Sequence, residues 1–298
     1  MAPAVRDGIR SGFLMLGLIN FILDVAGILL WLSWLSVRLD PLAKSTPATL
    51  VGTLRRAEPH RLWRWYFLAG LVALLSLRAV FYRQIGPAVG WMPNLHLAGI
   101  GVAIPFRSDR PLMLLYSFLS FAGTLGIFYL WLLLPSLVNS RTGFDDPTQK
   151  LVRLQLGWID RLPWVIKALL PLLGGLVMWF LTSLLLSWLN LIPKPYSSLH
   201  RLEQAAVVGL GCYLHWKYLI GVILALYLVS SYVYFGNQPF WNFITLTGQN
   251  LLAPLNRLPL RIGHVDCAPV LGVVLVFLGA YFAESRWGLP WLYNHLPL

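Results

Sequence analysis

Six apolar stretches, each close to the length that crosses a lipid bilayer, constrain this chain more than any other feature. They run from Gly12 to Val37, Leu62 to Tyr82, Leu112 to Val138, Trp164 to Leu189, Ala205 to Phe235 and Ala268 to Glu284. About 20 apolar residues wound as a helix cover the ~30 Å of hydrocarbon. Composition agrees: 58% of the residues are hydrophobic and 11% charged, with a mean hydropathy of +0.69, whereas a soluble domain has about 45–50% apolar and about 25% charged. The chain reads as an all-α membrane protein with about six transmembrane helices. The first stretch follows Arg6 and Arg10 without a clear small-residue cleavage site, so it is expected to remain as an anchor and not to be removed as a signal peptide. The fifth is interrupted by His215 and Lys217, which leaves its start open and places its first turns in the interface. Two cysteines, Cys212 and Cys267, are too few for a disulfide framework or a cysteine metal cluster.

The formal net charge is +12. Basic residues in short loops beside apolar spans satisfy anionic lipid and membrane topology, so the expected partner is the bilayer and not nucleic acid. The loops after the first, third and fifth stretches hold thirteen of the 23 basic residues. That bias places these three loops in the cytoplasm, although Arg6 and Arg10 before the first stretch argue the other way.

The same three loops carry a repeated signature. Each has a polar pair followed by proline: Ser45-Thr46-Pro47, Asp145-Asp146-Pro147 and Asn237-Gln238-Pro239. Ser, Asp and Asn cap helix starts, and proline is tolerated in a first turn where its missing N–H had no intrahelical partner. The segment after each proline is amphipathic and too short to cross. Beyond Pro147, Leu151, Leu154, Trp158, Ile159 and Leu162 recur at helical spacing. Beyond Pro239 the stripe is Phe240, Phe243, Ile244, Leu251 and Leu255. Such helices are expected to lie in the interface with the apolar face toward lipid. A second proline, Pro59, Pro163 or Pro254, ends each one.

The descending stretches match as well: Pro171-Leu172-Leu173-Gly174 corresponds to Pro269-Val270-Leu271-Gly272, and weakly to Phe67-Leu68-Ala69-Gly70. The expected organisation is therefore three helical hairpins, each with an interfacial helix in its loop. Repeat 1 covers 1–86, repeat 2 covers 112–190 and repeat 3 covers 205–298, joined by a Gly/Pro-rich connection at 87–111 and a linker at 191–204. The long connection after Arg83 is a candidate docking segment, and Gly174, Gly175 and Gly272 are candidates for close helix packing.

The third copy resembles the YggT family of small bacterial and plastid membrane proteins. Asn237, Pro239, Phe240 and Trp241 match that family's Asn-Pro-Phe-Trp except for the inserted Gln238. Arg257 follows Pro254, and Gly263 to Pro269, including Asp266, is similar to its Gly-Leu-Asp-Leu-Ser-Pro stretch. The likeness covers Ile220 to Glu284; Asp145, Asp146, Pro147 and Pro171 keep the layout in the second copy, and Pro47 marks the first. The resemblance implies a bacterial inner-membrane protein. It links the chain to osmotic-stress tolerance, to cell division and envelope organisation, or, as in chloroplasts, to haem attachment to a b-type cytochrome. No defined catalytic site comes with it.

Ionisable groups inside hydrocarbon cost about 2.5–3.5 kcal/mol on insertion scales and demand an explanation. Asp24 lies about 20 Å from the Val37 end of its stretch and Arg78 about 22 Å from Trp63, so an antiparallel hairpin sets both at one depth. Either they form an intramembrane ion pair, or Arg78 snorkels to the far headgroups with Arg83 while Asp24 meets another helix. His215 and Lys217 stand at nearly the same distance before Pro239 as Asp24 does before Pro47. The six histidines show no ligand spacing, and no nucleophile elbow, P-loop or His-Glu-x-x-His is present, so neither a cofactor nor an enzymatic activity is indicated. The leading expectation is a non-enzymatic protein that organises or assembles a membrane complex or the envelope through its surface helices. An accessory subunit of a respiratory or photosynthetic complex, and a channel or small-solute transporter, are the alternatives.

Overall fold

The computed structural model describes residues 3–39, 61–89, 93–96, 103–106, 110–140, 147–192, 197–233, 236, 238–255, 261–262 and 265–295. Among them the chain is helical almost throughout, and six segments are long and apolar enough to cross a membrane: Gly17–Ser36, Trp65–Gln84, Pro111–Val138, Trp164–Trp188, Ser198–Tyr232 and Ala268–His295. This is a multi-pass membrane protein of the all-α class. Its contacts divide it into two units, one of residues 1–95 and 105–125, the other of residues 96–104 and 126–298.

In the first unit, α1 (Pro3–Leu39) packs on α2 (Arg61–Val89). Asn20 meets Tyr82, Asp24 meets Arg78, and Leu30 is the side chain nearest Gly70, so the two run antiparallel. The part of α3 (Arg110–Val138) that reaches Leu125 belongs to this unit too. There Phe121 joins Leu71 and Leu75 in a buried cluster with Ile28 and Trp31. Lipid supplies no hydrophobic drive between helices, so small residues and polar bonds carry the association. Ser117 accordingly donates to the Leu75 carbonyl at 2.8 Å, and Gly27 lies under the Phe121 ring. The Gly/Pro-rich connection contains two short strands, β1 (Asn94–His96) and β2 (Ala103–Pro105). Its base is closed by Phe106 N–H donating to Pro93 O at 2.9 Å, and Phe106 is buried against the Tyr116 ring.

The second unit begins with the end of α3 and continues through α4 (Pro147–Leu156), a 3₁₀ turn at Gly157–Arg161 and α5 (Trp164–Trp188). Gly157, at φ +58°, takes the left-handed conformation that parts α4 from the 3₁₀ turn. The fifth span is two helices in line, α6 (Ser198–Cys212) and α7 (Trp216–Tyr232), separated by a 3₁₀ turn at Tyr213–His215. α6 starts within the expected linker because Ser197 caps it, accepting the His200 N–H at 3.1 Å. α8 (Pro239–Leu252) follows, then the antiparallel strands β3 (Arg261–Ile262) and β4 (Val265–Asp266), α9 (Ala268–Glu284) and a short α10 (Leu289–His295).

Three expectations are revised here. Gly175 is the glycine of close approach in α5: a Cβ there would lie 2.8 Å from Gly209 Cα on α6, while Gly174 has open space around it. The apolar stripe of α8 is turned inward except at Phe240, which is exposed: Phe243 and Ile244 are buried against Ile223 of α7, and Leu252 against Leu224 and Ala268. A stripe read from spacing says that a helix has an apolar side; what covers that side depends on neighbours brought in by the chain, here α7 and α9. Finally, the α8 cap position is Gln238, whose side chain makes no capping bond.

Candidate functional site

Among the described residues, the groups able to carry chemistry gather in four clusters at or beside the spans, each joining two or more elements. In the first unit Arg78 is buried, at 2% exposure, and all three of its nitrogens are engaged. Nη1 donates to Asp24 Oδ1 at 2.7 Å, Nη2 to Ser120 Oγ at 3.3 Å, and Nε to the Tyr82 hydroxyl. Tyr82 in turn donates to Asn20 Oδ1. The set joins α1, α2 and α3, and its spacing follows from helical geometry: Asn20 and Asp24 stand one turn apart on α1, as do Arg78 and Tyr82 on α2. Asp24 retains 20% exposure.

A second cluster lies where α4 hands over to α5. Asp160, on the 3₁₀ turn, holds two cations: Lys167 Nζ at 3.1 Å from Oδ1 and Arg153 Nε at 3.5 Å from Oδ2. Ser136 on α3 donates to the same carboxylate at 2.6 Å and accepts from Lys167 at 3.0 Å. Lys167 is thereby buried within the first turn of a spanning helix. Around it Leu151, Leu154, Trp158 and Trp164 are exposed, whereas Gln149, Val152 and Leu156 form the covered side of α4.

The third cluster is polar without charge. Asn139, just past the end of α3, is fully buried. Its Nδ2 donates to Thr247 Oγ1 at 2.8 Å, its Oδ1 accepts from Asn250 Nδ2 at 2.8 Å, and its carbonyl accepts from Gln149 Nε2 at 2.9 Å. Thr247 completes its own bonding to Phe243 O at 2.7 Å. One asparagine thus ties α4 and α8 to the end of α3, in a network of mutually satisfied polar groups. The fourth cluster is Lys217 on α7, which donates to Glu284 at the last turn of α9. Nearby, two indoles cross-brace the 3₁₀ break: Trp216 Nε1 donates to Leu130 O at 2.9 Å and Trp131 Nε1 to His215 O at 3.1 Å.

Of the residues singled out in the sequence, the structure brings Asp24 and Arg78 together. Pro147 and Pro239 open α4 and α8, and Phe240 and Trp241 stack edge to face at 5.5 Å. Pro171 and Pro269 are both fully buried within α5 and α9. Asp266 lies in β4, paired in register with Arg261. Ser45, Pro47, Asp145, Asp146, Asn237 and Arg257 lie outside the described residues. The sequence reading missed Asp160, Lys167, Asn139, Thr247 and Glu284. A polar residue alone in an apolar stretch was the available signal for Lys167, and its partner Asp160 lies only seven positions away. Among the described residues no group of three or more His, Cys, Asp or Glu side chains is gathered as a metal site.

Compared with models of protein families, with curated proteins and with solved structures, the chain matches none.

Proposed function

We propose that this chain is a non-enzymatic scaffold of the bacterial inner membrane, of the YggT type, which organises or assembles a membrane complex. Its three repeats are read as a spanning helix, a short helix in the loop and a second spanning helix, with α4 on the membrane surface and the motif loops facing the cytoplasm. The observation that carries the reading is the state of Arg78: its three nitrogens are committed to Asp24, Ser120 and Tyr82. A charge so bound, with a partner on each of its nitrogens, fixes the register of α1, α2 and α3. Lys167 and Lys217 are each paired with a carboxylate, Asp160 and Glu284 respectively. These charges hold the helices of each unit in register, as a surface that presents a partner must be held. The outward apolar side chains of α4 give that surface its membrane contact.

Purification of the full chain from native membranes in mild detergent tests this reading. The expected result is a membrane protein recovered with it in fixed ratio. Solute flux into liposomes that contain this protein alone, abolished by Asp24→Asn, would overturn the scaffold in favour of a transporter.

A further inference from the structure

The surface around Asp160 combines two properties that match one class of ligand. Between Pro147 and Lys167 the chain carries four cations, Lys150, Arg153, Arg161 and Lys167, against the single carboxylate of Asp160. Asp160 is shared by Arg153 and Lys167, so its charge is already divided between them. Lys150 lies one turn before Arg153 on α4, and Arg161 directly follows Asp160; both are exposed. The surplus positive charge therefore reaches the surface.

Beside these cations stand bare indoles. Trp158 is 71% exposed and Trp164 59% exposed, and both belong to a segment that runs straight into the spanning helix α5. Indoles at the end of a spanning helix sit at headgroup depth. Cations at that depth meet lipid phosphates.

We propose that Lys150 and Arg161 bind the headgroup of an anionic phospholipid whose acyl chains lie against Trp158 and Trp164. The proposal rests on the reading of α4 as a surface helix. A soluble anion would satisfy the cations and leave the indoles uncovered. A zwitterionic lipid carries its own ammonium group, which the surplus charge repels; phosphatidylglycerol carries none. Guanidinium groups add paired hydrogen bonds to phosphate oxygens, which fixes a headgroup more firmly than a point charge does.

The test uses the full chain, reconstituted in nanodiscs that contain phosphatidylcholine and phosphatidylglycerol and released for native mass spectrometry. The wild type is expected to retain phosphatidylglycerol preferentially. Lys150→Gln with Arg161→Gln is expected to lower that preference about twenty-five-fold, since each basic residue near a lipid surface contributes a factor of about five. Lys150→Arg with Arg161→Lys should keep it. Arg83→Gln with Arg286→Gln removes the same charge from exposed positions elsewhere and should leave it unchanged. Equal retention of the two lipids by the wild type, or equal losses in the two glutamine pairs, overturns the site. Loss of the lipid preference does not touch the scaffold reading if the partner still co-purifies. A preference that persists where no partner is found supports the lipid site and removes the scaffold.

Discussion

Arg78 Nη1 lies 2.7 Å from Asp24 Oδ1 across 54 positions of sequence, and the pair links two helices whose charged residues otherwise lie toward their ends. A carboxylate and a guanidinium that are costly singly in hydrocarbon become tolerable together, because each supplies the counter-charge that water would have given. The pair is a register pin: sliding α1 against α2 by one turn would strand both charges.

Removing either partner alone should therefore cost more than removing both. Asp24→Asn and Arg78→Gln are each expected to lose about 3 kcal/mol, the lower end for breaking a buried pair, because Asp24 is partly exposed. The double variant should be no less stable than the worse single one. Unfolding in mixed micelles measures all three, and simple additivity of the losses would contradict the pairing.

The α5–α6 contact predicts opposite outcomes at two glycines. A Cβ on Gly209 would lie 2.5 Å from the Leu172 carbonyl oxygen, and backbone cannot step aside. Gly209→Ala should destabilise by about 1–3 kcal/mol through overpacking. Gly174→Ala meets nothing within 4 Å and should be neutral or stabilising by up to about 1 kcal/mol through helix propensity. Thermal unfolding of the two variants in the same detergent compares them directly.

Asn139 predicts a loss that no charge explains. Asn139→Ala removes the bonds to Thr247 and Asn250 while the Gln149 bond to the backbone carbonyl survives. The expected cost is about 1–3 kcal/mol, since Asn250 Nδ2 loses its acceptor while Thr247 keeps its bond to Phe243 O. Hydrogen exchange should show the opening confined to α8 and the end of α3. Uniform loss of protection across the chain would contradict a local role.

Lys217 and Glu284 should tolerate exchange better than removal. Lys217→Glu combined with Glu284→Lys restores opposite charges at the same place, so the exchanged protein should recover most of the stability lost by Lys217→Glu alone. Glu284 is 32% exposed, so the single loss is smaller than at Arg78. No recovery on exchange would show that the two residues act separately.

The spans were legible in the sequence because lipid imposes one requirement, length with apolarity, that every spanning helix meets by itself. The shared depth of Asp24 and Arg78 followed from rise per residue once an antiparallel hairpin was assumed. Proline at the first turns of α4 and α8 was also readable, since it needs no tertiary partner. The features that were not legible depend on neighbours. The apolar stripe of α8 says nothing about whether lipid or α7 lies against it, and it is α7. Gly174 and Gly175 are adjacent and alike in sequence, yet only Gly175 faces another helix closely. Asn139 and Thr247 are 108 positions apart and carry no motif. The 3₁₀ break at Tyr213–His215 lies beside the polar residues that hinted at it, but its bracing draws on Trp131 and the Leu130 carbonyl from a different span.

The measurement that bears most directly on the scaffold is the depth of α4 in the bilayer. Spin labels at Leu151 and Leu154 on α4 and at Trp158 on the 3₁₀ turn that follows it, one at a time in a Cys212→Ala/Cys267→Ala background of the reconstituted full chain, report it through their relative exposure to oxygen and to a water-soluble nickel chelate. All three should read about 5–10 Å below the headgroup boundary. Labels bathed in bulk water, or lying at the bilayer centre, would contradict a surface helix and take both the scaffold and the lipid site with it.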